Sequence, residues 1–181
     1  VIRSRGHWDF DNGNLAATIG FDLEFGDSPA REVSSLTQFG TTTSFGIPDI
    51  SGLPAKVMKY NRTETPGAFQ PGYLMRHCID PNGGGTKVNQ FTMIVDMMIP
   101  DLHMGDNYNT VVKWEAVDDF TVDGSISIKA NDIGGDNTGG IGISGQYTGD
   151  WVTWIKGGSW QRLVVAVDMT AEPGIISYYL D

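Results

Sequence analysis

The sequence has almost no cysteine and no long apolar run. Cys78 is the one cysteine among 181 residues, so the chain cannot form an internal disulfide, and we expect this side chain to be a small core residue. No stretch reaches the roughly 18 consecutive apolar residues of a transmembrane helix, so we expect no membrane insertion. No signal peptide is visible at Val1, and we therefore expect a mature or excised piece of a longer precursor.

Basic residues are also scarce relative to acidic ones. Twelve Lys and Arg stand against 22 Asp and Glu, which gives a formal net charge of −10 at pH 7. A surface of this sign repels phosphate groups. We therefore expect neither nucleic acid nor an anionic membrane surface as a partner.

Glycine, by contrast, is abundant, with 24 residues, and no segment keeps the 3.6-residue period of an amphipathic helix. Clusters of Gly, Asn, Asp and Pro separate short runs that are rich in β-forming residues. These runs predict strands at 55–60, 73–79, 90–99, 110–116, 125–130, 140–145, 161–168 and 175–180.

The pattern of these runs predicts an all-β, two-sheet antiparallel sandwich that forms a single domain over residues 1–181, because no repeat or linker interrupts it. The run at 162–167 is nearly all apolar, which predicts an inner strand covered on both faces. The run at 175–180 leads into a turn where the chain stops. We expect either a fold that is incomplete at the C-terminus or an edge covered by a neighbouring chain or domain.

Several segments match the pattern of a known family. They are residues 8–11 with Asn14 and Leu15, and the stretches 73–77, 82–96, 140–144, 160–168 and 179–181. On these residues the sequence resembles the laminin-G-like, concanavalin A-like jelly-roll modules of secreted bacterial proteins. The resemblance implies a jelly-roll sandwich, a secreted, extracellular or periplasmic location, and a structural Ca²⁺ near the chain termini.

Three aspartates are candidate ligands for that Ca²⁺. Asp9 and Asp11 lie near the N-terminus, and Asp168 ends one of the apolar runs. Ca²⁺ takes about six to eight oxygen ligands from carboxylates, amides and backbone carbonyls. The alternative is that these residues are ordinary turn and capping residues.

An aromatic cluster is the candidate ligand-binding site. Tyr147, Trp151 and Trp154 lie close together in the sequence, and the polar stretch before them contains Asp136 and Asn137. Sugar rings stack on aromatic faces while Asp and Asn bind their hydroxyls. The alternatives are that the two tryptophans pack over the core and that the polar stretch is a solvated hairpin loop.

These features favour a non-catalytic accessory module of a larger extracellular protein, which binds carbohydrate or another extracellular ligand. The first alternative is a polysaccharide lyase or glycoside hydrolase, with Tyr73 and His77 on one strand face, or with Asp96 and Glu115 facing a concave surface. The other interpretation of Asp96 and Glu115 is that they are isolated surface groups. No paired-carboxylate motif of a retaining glycosidase occurs. The second alternative is a structural building block of an extracellular assembly that is completed by strand sharing.

Overall fold

The computed structural model describes residues 4–26, 33–61, 72–102, 108–116, 119–130, 137–143, 146–147 and 155–181. Over these residues the regular structure is β-strand, apart from one short 3₁₀ helix, Ser34–Leu36. The all-β prediction is therefore confirmed. No α-helix with the length and apolar content of a bilayer-spanning segment occurs in this part of the chain.

The chain divides into two compact units, Val1–Asn89 and Gln90–Asp181. The prediction of a single domain over 1–181 stays a prediction. In the described part of the first unit, strands pair two by two, β1 with β4 and β2 with β3. Their bounds are Glu24–Phe25 for β1, Thr37–Thr41 for β2, Lys56–Tyr60 for β3 and Tyr73–Leu74 for β4.

A buried threonine organises the loop between β2 and β3. Thr42 is fully buried, and its hydroxyl donates to the carboxylate of Asp49. The same oxygen accepts the backbone N–H of Ala55 at 3.2 Å. The hydroxyl therefore acts both as a donor and as an acceptor, and this buried polar group is fully hydrogen-bonded.

The second unit contains two antiparallel sheets in the residues that the structure describes. One has the order β10-β8-β7-β6, with β9 also paired to β8, and the other has the order β12-β11-β5. The strands are β5 (Gln90–Met97), β6 (Tyr108–Ala116), β7 (Asp119–Ala130), β8 (Thr138–Ile143), β9 (Gln146–Tyr147), β10 (Ile155–Lys156), β11 (Gln161–Asp168) and β12 (Ile175–Leu180).

Side chains from both of these sheets form one hydrophobic core. The larger sheet contributes Ile126 and Ile128 of β7, Ile141 of β8 and Ile155 of β10, while β11 contributes Leu163, Val165 and Val167. Leu102 completes this buried set. Two antiparallel sheets that share a core are consistent with the predicted β-sandwich.

The strand β11 is the centre of the smaller sheet, and its residues alternate between two faces. Leu163, Val165 and Val167 are buried, whereas the intervening residues are partly buried or exposed. The period of two is that of a pleated strand with one face in the core. The expectation that both faces of this run are buried is therefore only half right, since its outward face remains accessible.

Two of the predicted strands, 161–168 and 175–180, coincide with β11 and β12. The prediction of a strand over 73–79 is wrong beyond Leu74. The partner β1 is only two residues long and pairs Glu24 with Leu74, while the next residue, Leu23, donates its backbone N–H to Leu15 instead. A strand extends only as far as its neighbour supplies hydrogen bonds.

Candidate functional site

The outward face of the β12-β11-β5 sheet is the candidate site. Because successive strand residues point to opposite faces, the strand registers define cross-strand rows on this face. From one end to the other, the rows are Asp96–Arg162, Ile94–Val164–Tyr179, Thr92–Ala166–Ser177 and Gln90–Asp168–Ile175.

One of these rows is apolar and exposed. Ile94 is 62% exposed and Tyr179 is 60% exposed, and Val164 lies between them in the register. Directly opposed residues on one face of a sheet have Cβ atoms about 5 Å apart, so the three side chains form a continuous ridge. Large exposed apolar side chains that lie together, rather than singly, indicate a binding surface.

An open depression of about 300 Å³ lies next to this ridge. The row after the ridge, Thr92, Ala166 and Ser177, consists of small side chains and lines the depression, and the inward-facing residues Phe91 and Val167 also contribute to its lining. Gln90, Asp168 and Ile175 form the last row and also line the depression. The surface therefore offers hydroxyl, amide and carboxylate groups beside apolar carbon, which is the composition of a small-molecule site.

Asp168 is held in a fixed orientation in this depression. Its Oδ1 accepts hydrogen bonds from the backbone N–H of Thr170 at 2.9 Å and from the Thr170 hydroxyl. Its Oδ2 accepts from Nε2 of Gln90 at 3.1 Å. The Thr170 hydroxyl bond, then the Thr170 backbone bond and the Gln90 bond, lower the pKa of Asp168, so the carboxylate is ionised at neutral pH.

Asp96 and Arg162 close the other end of the face as a bidentate pair. Nε of Arg162 donates to Oδ1 of Asp96 at 2.6 Å, and Nη2 donates to Oδ2 at 2.7 Å. The hydrogen bonds from Arg162 lower the pKa of Asp96, and the same bonds raise the pKa of Arg162. Both side chains are about half exposed, so solvent screens the attraction between them and the pair contributes little to stability.

Most of the predicted ligand-binding residues lie outside the described part of the chain. This applies to Asp136, Trp151 and Trp154. For Tyr147 the structure describes the backbone, which pairs with Gly142 of β8, but not the side chain. Binding by these residues stays a prediction.

Asn137, the remaining predicted ligand-binding residue, has a structural role in the second unit. Its Oδ1 accepts the backbone N–H of Leu102 at 2.8 Å, and its Nδ2 donates to the carbonyl of Pro100 at 2.9 Å. Its own carbonyl accepts the N–H of Gly157 at 2.7 Å. The residue therefore connects three separate chain segments.

Two predicted Ca²⁺ ligands, Asp9 and Asp11, lie in the first unit. The Thr18 hydroxyl donates to Asp9, as does the backbone N–H of Asp11 at 3.0 Å, and these bonds, the Thr18 bond first, lower the pKa of Asp9. Among the described residues, no group of three or more His, Cys, Asp or Glu side chains is placed to hold a metal ion. The observed arrangement is that of a turn-stabilising aspartate, and Ca²⁺ binding stays a prediction.

Two of the candidate catalytic residues, Tyr73 and Asp96, make hydrogen bonds to neighbouring side chains. The Tyr73 hydroxyl lies 2.7 Å from the Thr37 hydroxyl, and burial raises the pKa of Tyr73. His77 lies beyond the end of β4, so it does not share a strand face with Tyr73. Asp96 is paired with Arg162, and the side chain of Glu115 is outside the described set.

The first unit has a depression of its own, about 520 Å³ in volume. Its walls are largely apolar and include Leu15, Leu23, Phe25 and Phe39. The polar residues in its lining are Asn14, Asp22 and Glu24, which accept hydrogen bonds from the N–H of Ala16, the N–H of Ala17 and Nη2 of Arg76. The depression on the sheet face of the second unit has four polar lining residues, Gln90, Thr92, Asp168 and Ser177, so the depression of the first unit offers fewer polar groups to a ligand.

Ile94, Val164 and Tyr179 were not predicted as site residues from the sequence. One sequence pattern could have identified two of them. Ile94 and Val164 are apolar although they occupy the outward positions of their strands, between inward-facing residues. This pattern indicates a binding surface only when the strand register is known, because the register places Tyr179 beside Val164.

Searches against models of protein families, against curated proteins and against solved structures found no match to this chain.

Proposed function

We propose that the second unit is a non-catalytic module that binds carbohydrate through the outward face of the β12-β11-β5 sheet. The observation that carries this proposal is that the exposed residue Tyr179 lies beside a depression lined by both polar and apolar residues. A pyranose ring has apolar C–H faces and a rim of hydroxyls, so it needs an aromatic surface and hydrogen-bonding groups next to each other.

The spacing of the face fits a chain of sugars. Residues two apart on a strand are separated by about 7 Å, so the row of Ser177 follows the row of Tyr179 at this distance along β12. A sugar stacked on Tyr179 would place its neighbour over the depression. There, the hydroxyl groups of Thr92 and Ser177 supply uncharged donors and acceptors.

The proposal includes the jelly-roll connectivity and the extracellular or periplasmic setting that the family resemblance implies. For the connectivity, the support is that β5 pairs with β11, a strand much later in the chain, as Greek-key sandwiches require. For the setting, the support is the resemblance itself.

Tyr179 provides the direct test of this function. We expect Tyr179→Ala to weaken glycan binding about tenfold, since aromatic packing contributes on the order of 1 kcal/mol beyond the buried area. Tyr179→Phe keeps the ring and should retain most of the affinity. Binding to an array of neutral, amino-bearing and acidic glycans, followed by titration calorimetry on the strongest ligand, measures the effect.

Phe21→Ala is the matched control for this substitution. Phe21 is an aromatic residue of the first unit and is 55% exposed, so its removal should leave glycan binding unchanged. Equal losses in the Phe21 and Tyr179 variants, or full binding by Tyr179→Ala, would contradict the proposed face.

A further inference from the structure

We propose that the glycan bound by this face carries free amino groups, with an ammonium group placed against the carboxylate of Asp168. This inference rests on the proposed function, and it adds the chemical class of the ligand. It is carried by three features of the same surface: its exposed apolar row with Tyr179, its depression and its charges.

Negative charge predominates on the face. Over the residues that the structure describes there, three carboxylates, those of Asp96, Asp168 and Asp181, accompany one cation, Arg162. Arg162 is engaged by Asp96 through both of its hydrogen bonds. A glycan with carboxylate or sulfate groups would bring like charges to this surface, which is unfavourable.

The partners of Asp168 are neutral. Thr170 and Gln90 hold its two oxygens by hydrogen bonds, and these bonds fix the carboxylate without cancelling its charge. Hydrogen bonds between an ammonium group and a carboxylate are stronger than those between neutral groups. Asp168 is therefore a defined position for a cationic group of a ligand that occupies the depression.

The aromatic row and the depression determine what carries the ammonium group. Tyr179 offers a ring face one row away from the row of small residues, and Asp168 lies one row further. An amino sugar chain combines a stacking C–H face with ammonium groups repeated along its length. The net charge of −10 on the whole chain adds a long-range attraction for such a polycation.

The test compares two ligands that differ only at nitrogen: the fully deacetylated glucosamine hexamer and its N-acetylated counterpart, titrated into the full chain by calorimetry. We expect the deacetylated hexamer to bind about tenfold more tightly, the effect of one charge-assisted hydrogen bond. EDTA in both titrations removes any bridging divalent cation. Added salt should reduce the preference, because exposed charges are screened.

Asp168→Asn keeps the shape of the side chain and removes its charge, so it should abolish most of this preference. Asp80→Asn is the matched control, since Asp80 is exposed and lies in the first unit, and it should keep the preference. Equal or tighter binding of the acetylated hexamer, or a preference that survives Asp168→Asn, would overturn the inference.

The outcomes also separate this inference from the proposed function. If neutral glycans bind and require Tyr179 while the deacetylated hexamer does not bind, the amino-sugar inference is wrong and the carbohydrate-binding proposal stands. If no glycan of any class binds, the proposed function itself is wrong.

Discussion

Replacing Leu163 by alanine is expected to lower the free energy of unfolding of the second unit by about 2–5 kcal/mol, the usual cost of removing a buried leucine side chain. Leu163 is fully buried and lies between Val95 of β5 and Leu180 of β12 in the register. The methyl groups that are lost would leave a cavity between the two sheets. Urea-induced unfolding followed by circular dichroism measures the change.

Val164→Ala is the matched control for this prediction. Val164 follows Leu163 on the same strand but points to the outward face, where it is only partly buried. We expect a cost below about 1.5 kcal/mol, since less apolar surface loses its burial. A larger effect at Val164 than at Leu163 would mean that the two faces of the sheet are exchanged, as a one-residue slip of register produces.

Gly157→Ala is the second substitution with a large expected effect, about 2–4 kcal/mol of lost stability from two hydrogen bonds and a steric conflict. A Cβ atom at Gly157 would lie 2.0–2.1 Å from the amide atoms of Asn137. The backbone cannot easily move away, because Gly157 N–H is bonded to the carbonyl of Asn137 and Gly158 N–H to that of Ile99. The Asn137 side chain would have to leave its partners, Pro100 and Leu102.

Two further variants make this prediction specific. Gly72→Ala adds a methyl group that meets no atom of the described residues within 4 Å and should change stability little. In an Asn137→Ala background the Gly157→Ala substitution should cost much less, because the atoms it meets are gone. Urea unfolding of the wild type, Gly157→Ala, Asn137→Ala and the double variant forms a double-mutant cycle, and purely additive costs would contradict the assigned clash.

The strands that the sequence analysis predicted correctly are those with a clear pattern and defined ends. The run 161–168 begins directly after Trp160 and ends at Asp168, and it coincides with β11. The run 73–79 has equally suitable residues, but its length is set by the partner β1. Strand length depends on a neighbour that is distant in sequence, and local propensity does not contain that information.

In the candidate site, too, the residue types could be predicted from the sequence, whereas their contacts with distant parts of the chain could not. Asp168 and Asn137 were identified from their chemistry, yet the structure shows Asn137 bound to backbone groups and Asp168 bound to Thr170 and Gln90. The ridge of Ile94, Val164 and Tyr179 comes from three strands. Its members become neighbours only through the pairing of β5, β11 and β12, which no local pattern specifies.

The most direct measurement of the central claim is an NMR titration of the ¹⁵N-labelled protein with the glycan that binds most strongly on the array. The account predicts that the largest amide shifts fall on the outward rows of β5, β11 and β12, at Thr92, Ile94, Val164, Ser177 and Tyr179. Shifts concentrated instead at residues 147–154, or elsewhere in the chain with this sheet unaffected, would contradict it.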